Sequence, residues 1–224
     1  ILFNIDSKSG LGDSQNSKEA ILSVFLKVFN QHQGYYGSNP FLADLERHLK
    51  EEGKYEAFKT AFAQIRGREW EDSRHQFRFI QDYVCDALVQ TGYMSEDAAR
   101  NWYETSTGTY DIDVATFANM VRDYIKKKGN NHHVVFLVDE IGQYIGEDSR
   151  LMLNLQTVVE DLGIACAGKA WVVVTSQQDI DSITKTRGND FSKIQGRFDT
   201  RLSLSSANVD EVIRKRILEK TESA

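Results

Sequence analysis

The chain has 224 residues, of which 41% are hydrophobic and 27% charged, with a formal net charge of -6. This composition is typical of a folded globular protein and excludes both a disordered chain and a uniformly basic, nucleic-acid-binding surface. The two cysteines, Cys85 and Cys166, are far apart and show no ligand spacing, so they indicate neither a disulfide framework nor a zinc site. No apolar run approaches the roughly 18 residues of a membrane span. Two free thiols suit the reducing cytosol, so we expect a cytoplasmic protein.

The first 130 residues predict one strand followed by helices. The strand, Ile1–Ile5, is apolar and is followed by a polar Gly/Ser/Asp loop. Because the chain opens without Met inside this strand, we expect it to be a fragment of a longer protein. Capping residues and apolar periodicity predict the helices: one capped by Ser17, one from Pro40 to about Glu52, Tyr55–Arg66, Glu69–Gln90, one opened by Ser95, and one capped by Asp113 that ends at Lys126–Lys128 and Gly129.

The last 90 residues alternate strands with helices, which predicts an α/β fold. Val134–Val138 and Trp171–Thr175 are valine-rich runs, typical of parallel strands buried on both faces. Further helices are predicted through Leu151 to Leu162, near Asp179 and after Asn208, with a strand at 201–204. We therefore predict an α/β core in two parts, residues 1–14 and 131–224, separated by a helical insertion at 15–130.

The stretch VVFLVDE, residues 134–140, predicts a Walker B motif. A buried parallel strand delivers its last residues to the edge where α/β folds bind ligands. Asp139 would hold the magnesium bound to ATP phosphates, and Glu140 would deprotonate the attacking water. The alternative is a strand that ends in a solvated acidic pair, since short motifs match by chance.

Two further segments fit the same site. The strand WVVVT ends in Thr175, Ser176 and Gln177, and Ser176 or Gln177 would contact the γ-phosphate; the alternative is helix capping. The later stretch IQGRFDTR resembles the "SRF" region of AAA+ ATPases. Arg197 would then be a catalytic finger reaching into a neighbouring subunit, with Arg201 a weaker candidate, and the alternative is a surface arginine.

A phosphate-binding loop is not predicted within the chain. The nearest match to G-x-x-x-x-G-K-[ST] is GIACAGKA, residues 163–170, which has Ala170 where a hydroxyl is needed. It also connects a helix to a strand, whereas a phosphate loop connects a strand to a helix. We expect Gly163 and Gly168 to end that helix and Lys169 to be solvated.

The segments LFNIDSKS, VVFLVDEIGQYIG, VVVTSQQDID and IQGRFDTRLSLS together resemble the large P-loop ATPases of BREX phage-defence systems, the BrxC/PglY type. The resemblance covers residues 1–8 and about 132–220, and it implies that the α/β part is a parallel-sheet P-loop NTPase (AAA+-like) core. It implies ATP and Mg²⁺ as cofactors of the intact protein, a phosphate loop upstream of Ile1, homo-oligomers, and other BREX proteins as partners. It also implies an indirect association with DNA, through the block of phage DNA replication.

Other classes of function remain open from the sequence. A non-catalytic scaffold or switch would use the helical block for protein docking. Its aromatic residues suit either an interface or, as we favour, a core: Tyr35, Tyr36, Trp70, Trp102 and Tyr103. The segment KKKGNNHH, residues 126–133, either contacts DNA or, as we favour, ends a helix with lysines that match its dipole. A zinc site at His132 and His133 is disfavoured because adjacent residues of an extended segment face opposite ways.

Overall fold

A computed structural model describes residues 1–5, 20–106, 108, 110–145, 148–176, 200 and 202. These residues form mostly helices together with one small parallel sheet, which agrees with the predicted α/β class. No helix in these ranges is both long and apolar enough to cross a membrane.

In chain order, the described elements are a short strand, then seven α-helices with one 3-10 helix among them, and finally two strands with two α-helices between them. The elements are β1 (Leu2–Asn4), α1 (Ala20–His32), α2 (Pro40–Glu51), α3 (Tyr55–Arg66), α4 (Trp70–Ser73), the 3-10 helix Arg74–Phe79, α5 (Gln81–Gln90), α6 (Glu96–Thr105), α7 (Val114–Lys128), β2 (Val134–Asp139), α8 (Ile141–Ile145), α9 (Ser149–Cys166) and β3 (Ala170–Val174).

The sheet has the order β1-β2-β3, and both strand pairs are parallel. Leu2 pairs with Leu137, and Leu137 pairs in turn with Val173. The carboxyl ends of all three strands therefore lie at the same edge of the sheet, as the α/β prediction requires.

One face of the sheet packs on helices through a cluster of aromatic side chains. Phe136 of β2 is fully buried, and its ring centroid lies 5.1 Å from that of Phe25 in α1. Phe117 of α7 lies 6.3 Å from Phe136. Helices α1 and α7, which belong to the predicted 15–130 insertion, thus pack in the same core as the sheet. Buried rings of this size contribute much of the apolar area that stabilises a core.

The prediction that these strands are buried on both faces is wrong for the part of the chain that the structure describes. Along β2, buried and exposed side chains alternate, and β3 likewise alternates between half-buried and exposed ones. Helices cover the face that carries Val134, Phe136 and Val138, while Val135 and Leu137 remain exposed. Valine occupies both faces of these strands, so the sequence did not reveal which face was covered.

A second core lies within the helical block and surrounds the carboxylate of Glu46, which is fully buried. Its Oε1 accepts hydrogen bonds from the Tyr55 hydroxyl at 3.0 Å, the Trp70 indole at 2.8 Å and the Arg74 guanidinium at 3.0 Å. Its Oε2 accepts one from the Tyr36 backbone N–H at 2.6 Å. This carboxylate, with Arg74 as its counter-charge, ties α2 to α3, α4 and the 3-10 helix.

The helices predicted from caps agree with the structure. The side chain of Asn39 accepts from the Leu42 N–H, that of Ser95 from Ala98 and that of Asp113 from Thr116. Helix α3 spans Tyr55–Arg66 as predicted.

The single helix predicted over Glu69–Gln90 is wrong. The structure has α4, the 3-10 helix and α5 in this interval, because Gln76 has non-helical backbone angles (φ -94°, ψ 16°) and Ile80 (φ -126°) precedes a new helix start. Periodicity alone does not detect such a kink. The predicted Ser17 cap, the helix near Asp179, the 201–204 strand and the helix after Asn208 lie outside the described residues or almost wholly so.

Candidate functional site

Polar side chains collect at the carboxyl edge of the sheet, one group from each strand. β1 ends at Asn4, β2 ends at Asp139, and β3 is followed directly by Thr175. Asn4 and Asp139 are paired in the sheet register. The sheet therefore fixes the backbone positions of these three residues relative to one another.

The Thr175 hydroxyl joins β3 to β2. It donates a hydrogen bond to Asp139 Oδ1 and accepts one from the Glu140 backbone N–H at 3.2 Å. The backbone reinforces this junction, because the Thr175 N–H donates to Val138 O at 2.9 Å and the Ile141 N–H donates to Thr175 O at 3.1 Å. Asp139 is thus oriented by a side chain of the neighbouring strand.

Glu140 is held on the other side by β1. The Asn4 side-chain amide donates to Glu140 Oε2 at 2.5 Å. Glu140 also has a left-handed backbone conformation with φ +59°, which is uncommon for a residue other than glycine. Such strain persists only where surrounding contacts enforce it, and it concentrates at functional sites. The bend after β2 therefore places two adjacent carboxylates over different neighbours, Asp139 beside β3 and Glu140 beside β1.

The donor set at this edge suits a magnesium ion that is bound mainly through a substrate. Within the described ranges, no group of three or more His, Cys, Asp or Glu side chains is placed to hold a metal. Mg²⁺ is commonly held by only one or two protein carboxylates, together with water and substrate phosphates. Asp139, which is exposed, and the hydroxyl of Thr175 match that smaller requirement.

The structure brings together some of the predicted site residues. Asp139 and Glu140 lie at the carboxyl end of β2, and Ser176 directly follows Thr175 in the sequence. Gln177 and Arg197 lie outside the described residues. The predicted assignment therefore stays a prediction for those two positions.

Sequence reasoning missed Asn4 and gave Thr175 no specific role. Asn4 is the polar residue that ends an apolar strand in LFNID, the same signal that identified Asp139 in VVFLVDE. Applying that rule to the first strand would have found it. The hydroxyl of Thr175 was weighed only as part of a polar cluster, and its hydrogen bond to Asp139 depends on the strand order β2-β3, which the sequence does not state.

The GIACAGKA segment lies at the opposite edge of the sheet, as its position between helix and strand predicted. Helix α9 continues to Cys166, so the expectation that Gly163 ends it is wrong; Ala167 (φ +49°) and Gly168 (φ +78°) make the turn. Lys169, which we expected to be solvated, is half-buried and donates to Asn130 O at 3.0 Å. This segment enters β3 at its amino end and cannot bind phosphates at the Asp139 edge.

The basic segment at 126–133 has the helix-terminal geometry predicted for it. Its three lysines form the last turn of α7, and the Gly129 N–H donates to carbonyls of that turn. Lys127 forms an ion pair with Glu51, and the His132 ring lies 5.6 Å from that of Tyr124. The segment is therefore a capped helix end that packs on neighbouring side chains.

The aromatic residues of the helical block are mainly core residues, as we favoured. Trp70 is fully buried, and Tyr103 and Tyr35 are 3% and 7% exposed. Tyr36 and Trp102 are half-buried against the core of the helical block. They do not form an exposed aromatic interface.

No family model matches the chain, and no solved structure matches it significantly. The functional argument therefore rests on the geometry at the carboxyl edge of the sheet.

Proposed function

We propose that this chain is part of the core of a P-loop ATPase of the BREX phage-defence type, carrying the acidic and sensor side of the nucleotide site. The observation that supports the proposal is the convergence of Asn4, Asp139, Glu140 and Thr175 on one edge of a parallel sheet. Open parallel sheets bind their ligands at this edge.

The two carboxylates have separate environments that suit separate roles. Asp139 accepts a hydrogen bond from the Thr175 hydroxyl at Oδ1, and its other carboxylate oxygen, Oδ2, would bind the nucleotide-associated Mg²⁺. Glu140, oriented by the Asn4 amide, would accept the proton of the attacking water. The Mg²⁺ would neutralise charge that develops on the phosphate oxygens during transfer.

Three further contributions complete the proposal. Ser176 and Gln177, which follow β3, would contact the γ-phosphate. Arg197 would reach the site of a neighbouring subunit, so the intact protein would be a homo-oligomer. A phosphate loop upstream of Ile1 would bind the phosphates of ATP, since GIACAGKA lies at the wrong edge. The resemblance also leads us to propose a cytoplasmic protein that acts with other BREX proteins and associates with DNA indirectly.

The test uses a polypeptide extended upstream of Ile1 by on the order of 100 residues, about one domain. Magnesium-dependent ATP hydrolysis and nucleotide binding are measured for the parent and for Glu140→Gln. Removing a general base should lower kcat by roughly 10²–10⁴-fold, while nucleotide binding persists. Glu52→Gln, the same change at an exposed position of the helical block, is the matched control and should leave kcat unchanged.

Hydrolysis that survives Glu140→Gln unchanged would refute the proposed role of this residue. A folded extended protein that neither binds nor hydrolyses nucleotide would refute the ATPase proposal. That outcome would favour the second candidate, a non-catalytic scaffold that docks partners on the helical block. One observation supports this alternative: Phe79, at the end of the 3-10 helix, is 87% exposed.

A further inference from the structure

One face of the sheet is apolar and exposed, and it lies opposite to the face that the helices cover. We call it the open face. Trp171 on this face is 59% exposed and Val173 is 44% exposed. A contiguous exposed apolar patch generally marks a contact surface. The open face carries the apolar side chains of Leu2, Val135, Leu137, Trp171 and Val173.

The open face has an acidic end and a basic end. Side chains alternate along a strand, so Asp139 lies on the same face as Leu137, two residues before it. Asp139 is exposed at the carboxyl end of β2. By the same alternation, His133 precedes β2 on this face and Lys169 precedes β3 on it. Basic groups therefore lie at the amino ends of two strands, and a carboxylate lies at the opposite end.

The neighbours of His133 support its placement on the open face. The His132 ring lies 5.6 Å from the ring of Tyr124 in α7, a helix that covers the other face. Adjacent residues of an extended segment point to opposite sides, and His133 is exposed. Lys169 lies across from this segment, because the Val134 N–H donates to Lys169 O at 2.9 Å. The basic end thus spans β2 and β3.

This pattern is complementary to itself. Along β2, the open-face residues are, in order, His133, Val135, Leu137 and Asp139. A two-fold axis between two stacked sheets, at right angles to the strands, turns one sheet over so that its strands run against those of the other. Apolar rows then meet apolar rows, and the acidic end of each copy meets the basic end of the other. A two-fold contact requires a surface that matches itself in this way.

We propose that the open face binds the open face of a second copy of this chain, with His133 and Lys169 of each copy beside Asp139 of the other. This goes beyond the proposed ATPase activity and does not depend on it. It also differs from the proposed Arg197 contact, in which an arginine of one subunit reaches the nucleotide site of the next. The open-face contact is symmetric and closes at two copies.

The area of the open face sets the strength of the contact. Five partly exposed side chains amount to a few hundred Å². A standard interface buries roughly 800 Å² on each partner, and smaller contacts are typical of weak, transient complexes. We therefore expect a dimer that dissociates on dilution. The charged ends favour a second copy over an uncharged apolar segment, which would leave Asp139 without a counter-charge.

The test measures the association of the full chain by sedimentation equilibrium, from micromolar to millimolar concentration. The parent should pass reversibly from monomer to dimer as concentration rises. Trp171→Ser removes the largest apolar side chain of the open face and should abolish the dimer. Phe79→Ser is the matched control, because Phe79 is 87% exposed but belongs to the helical block. It should leave the dimer unchanged.

Charge variants test the antiparallel register. In the parent, Asp139→Asn should weaken association by roughly two- to tenfold, because it removes an exposed ion pair at each end of the contact. His133→Glu should weaken it by about tenfold or more, because two carboxylates then face each other. In the His133→Glu background, Asp139→Asn should instead strengthen association, since it removes this repulsion. His75→Glu, the same change at an exposed position of the helical block, should have no effect.

Three results would overturn the proposal. A parent that stays monomeric at every concentration would show that a second copy does not bind the open face. A dimer abolished by Phe79→Ser but not by Trp171→Ser would assign the contact to the helical block. Equal weakening by Asp139→Asn in both backgrounds would contradict the register. If Trp171→Ser fails to fold by circular dichroism, Val173→Ser replaces it, and an unchanged dimer in that folded variant counts against the proposal.

Discussion

Replacing Glu46 by glutamine is expected to destabilise the protein because the buried carboxylate serves four donors at once. The substitution keeps the shape of the side chain but removes the charge that pairs with Arg74. It also puts an NH₂ group in place of one acceptor oxygen. Burial, followed by the effect of Glu46, raises the pKa of Tyr55, so its hydroxyl remains a donor that needs an acceptor.

The size of the effect follows from the burial of the pair. Breaking a buried ion pair by removing one partner costs about 3–5 kcal/mol. The Arg74 side chain keeps 19% of its exposure, so water solvates part of the freed guanidinium. We therefore expect the lower end of that range, about 3 kcal/mol. With an m-value of about 2 kcal/mol/M, the urea midpoint should fall by about 1.5 M.

The measurement is equilibrium unfolding in urea followed by far-ultraviolet circular dichroism at neutral pH. The matched control is Glu51→Gln, the same change at the end of the same helix, where the ion pair with Lys127 is exposed. Exposed pairs contribute about 0–1 kcal/mol. If Glu46→Gln shifts the free energy of unfolding no more than Glu51→Gln does, the reasoning about the buried network is wrong.

Two further changes test local backbone and charge. Ala167→Gly should raise the melting temperature, because Ala167 ends α9 in the left-handed region (φ +49°) that glycine adopts without strain. As the control, Ala165→Gly inside the same helix should lower the free energy of unfolding by about 1 kcal/mol. A loss of stability in both variants would contradict this account. Hydrogen bonding to Thr116 lowers the pKa of Asp113 from its ordinary 3.8, so the stabilisation from this cap is present above pH 3.8 and is lost as pH falls through the lower pKa of the folded state. Asn at position 113 still caps the helix but does not titrate, so Asp113→Asn should flatten the decline of melting temperature below pH 4. An unchanged decline would show that Asp113 does not contribute to the loss of stability in acid.

The sequence predicted those parts of the fold that depend on neighbouring residues. Caps such as Asn39 and Ser95 act within three residues, and their hydrogen bonds were found as expected. The break at Gln76 was not predictable, because the apolar residues on both sides of it, such as Trp70 and Phe77, keep a helical spacing and are buried in one core.

The candidate site was predictable where each strand carries its own signal. Asp139 and Glu140 stand out after an apolar run, whereas the pairing of Glu140 with Asn4 joins residues 136 positions apart. Strand order and the covered face of the sheet arise from tertiary packing, and valine-rich strands carry no pattern that distinguishes their two faces. The site's residues were therefore visible in part, and its connections were not.

The pairing of β1 with β2 also constrains the order in which the protein folds. Leu2 and Leu137 are neighbours in the sheet although 135 residues separate them, whereas the helical block between them is built largely from local contacts. Closing so long a loop costs entropy that only later contacts offset, so local helices form faster than this strand pair. At roughly 5–20 residues per second, the ribosome needs at least several seconds after making β1 before β2 exists. During that interval the apolar strand Leu2–Asn4 lacks its β2 partner, and the helices that emerge first are available to protect it.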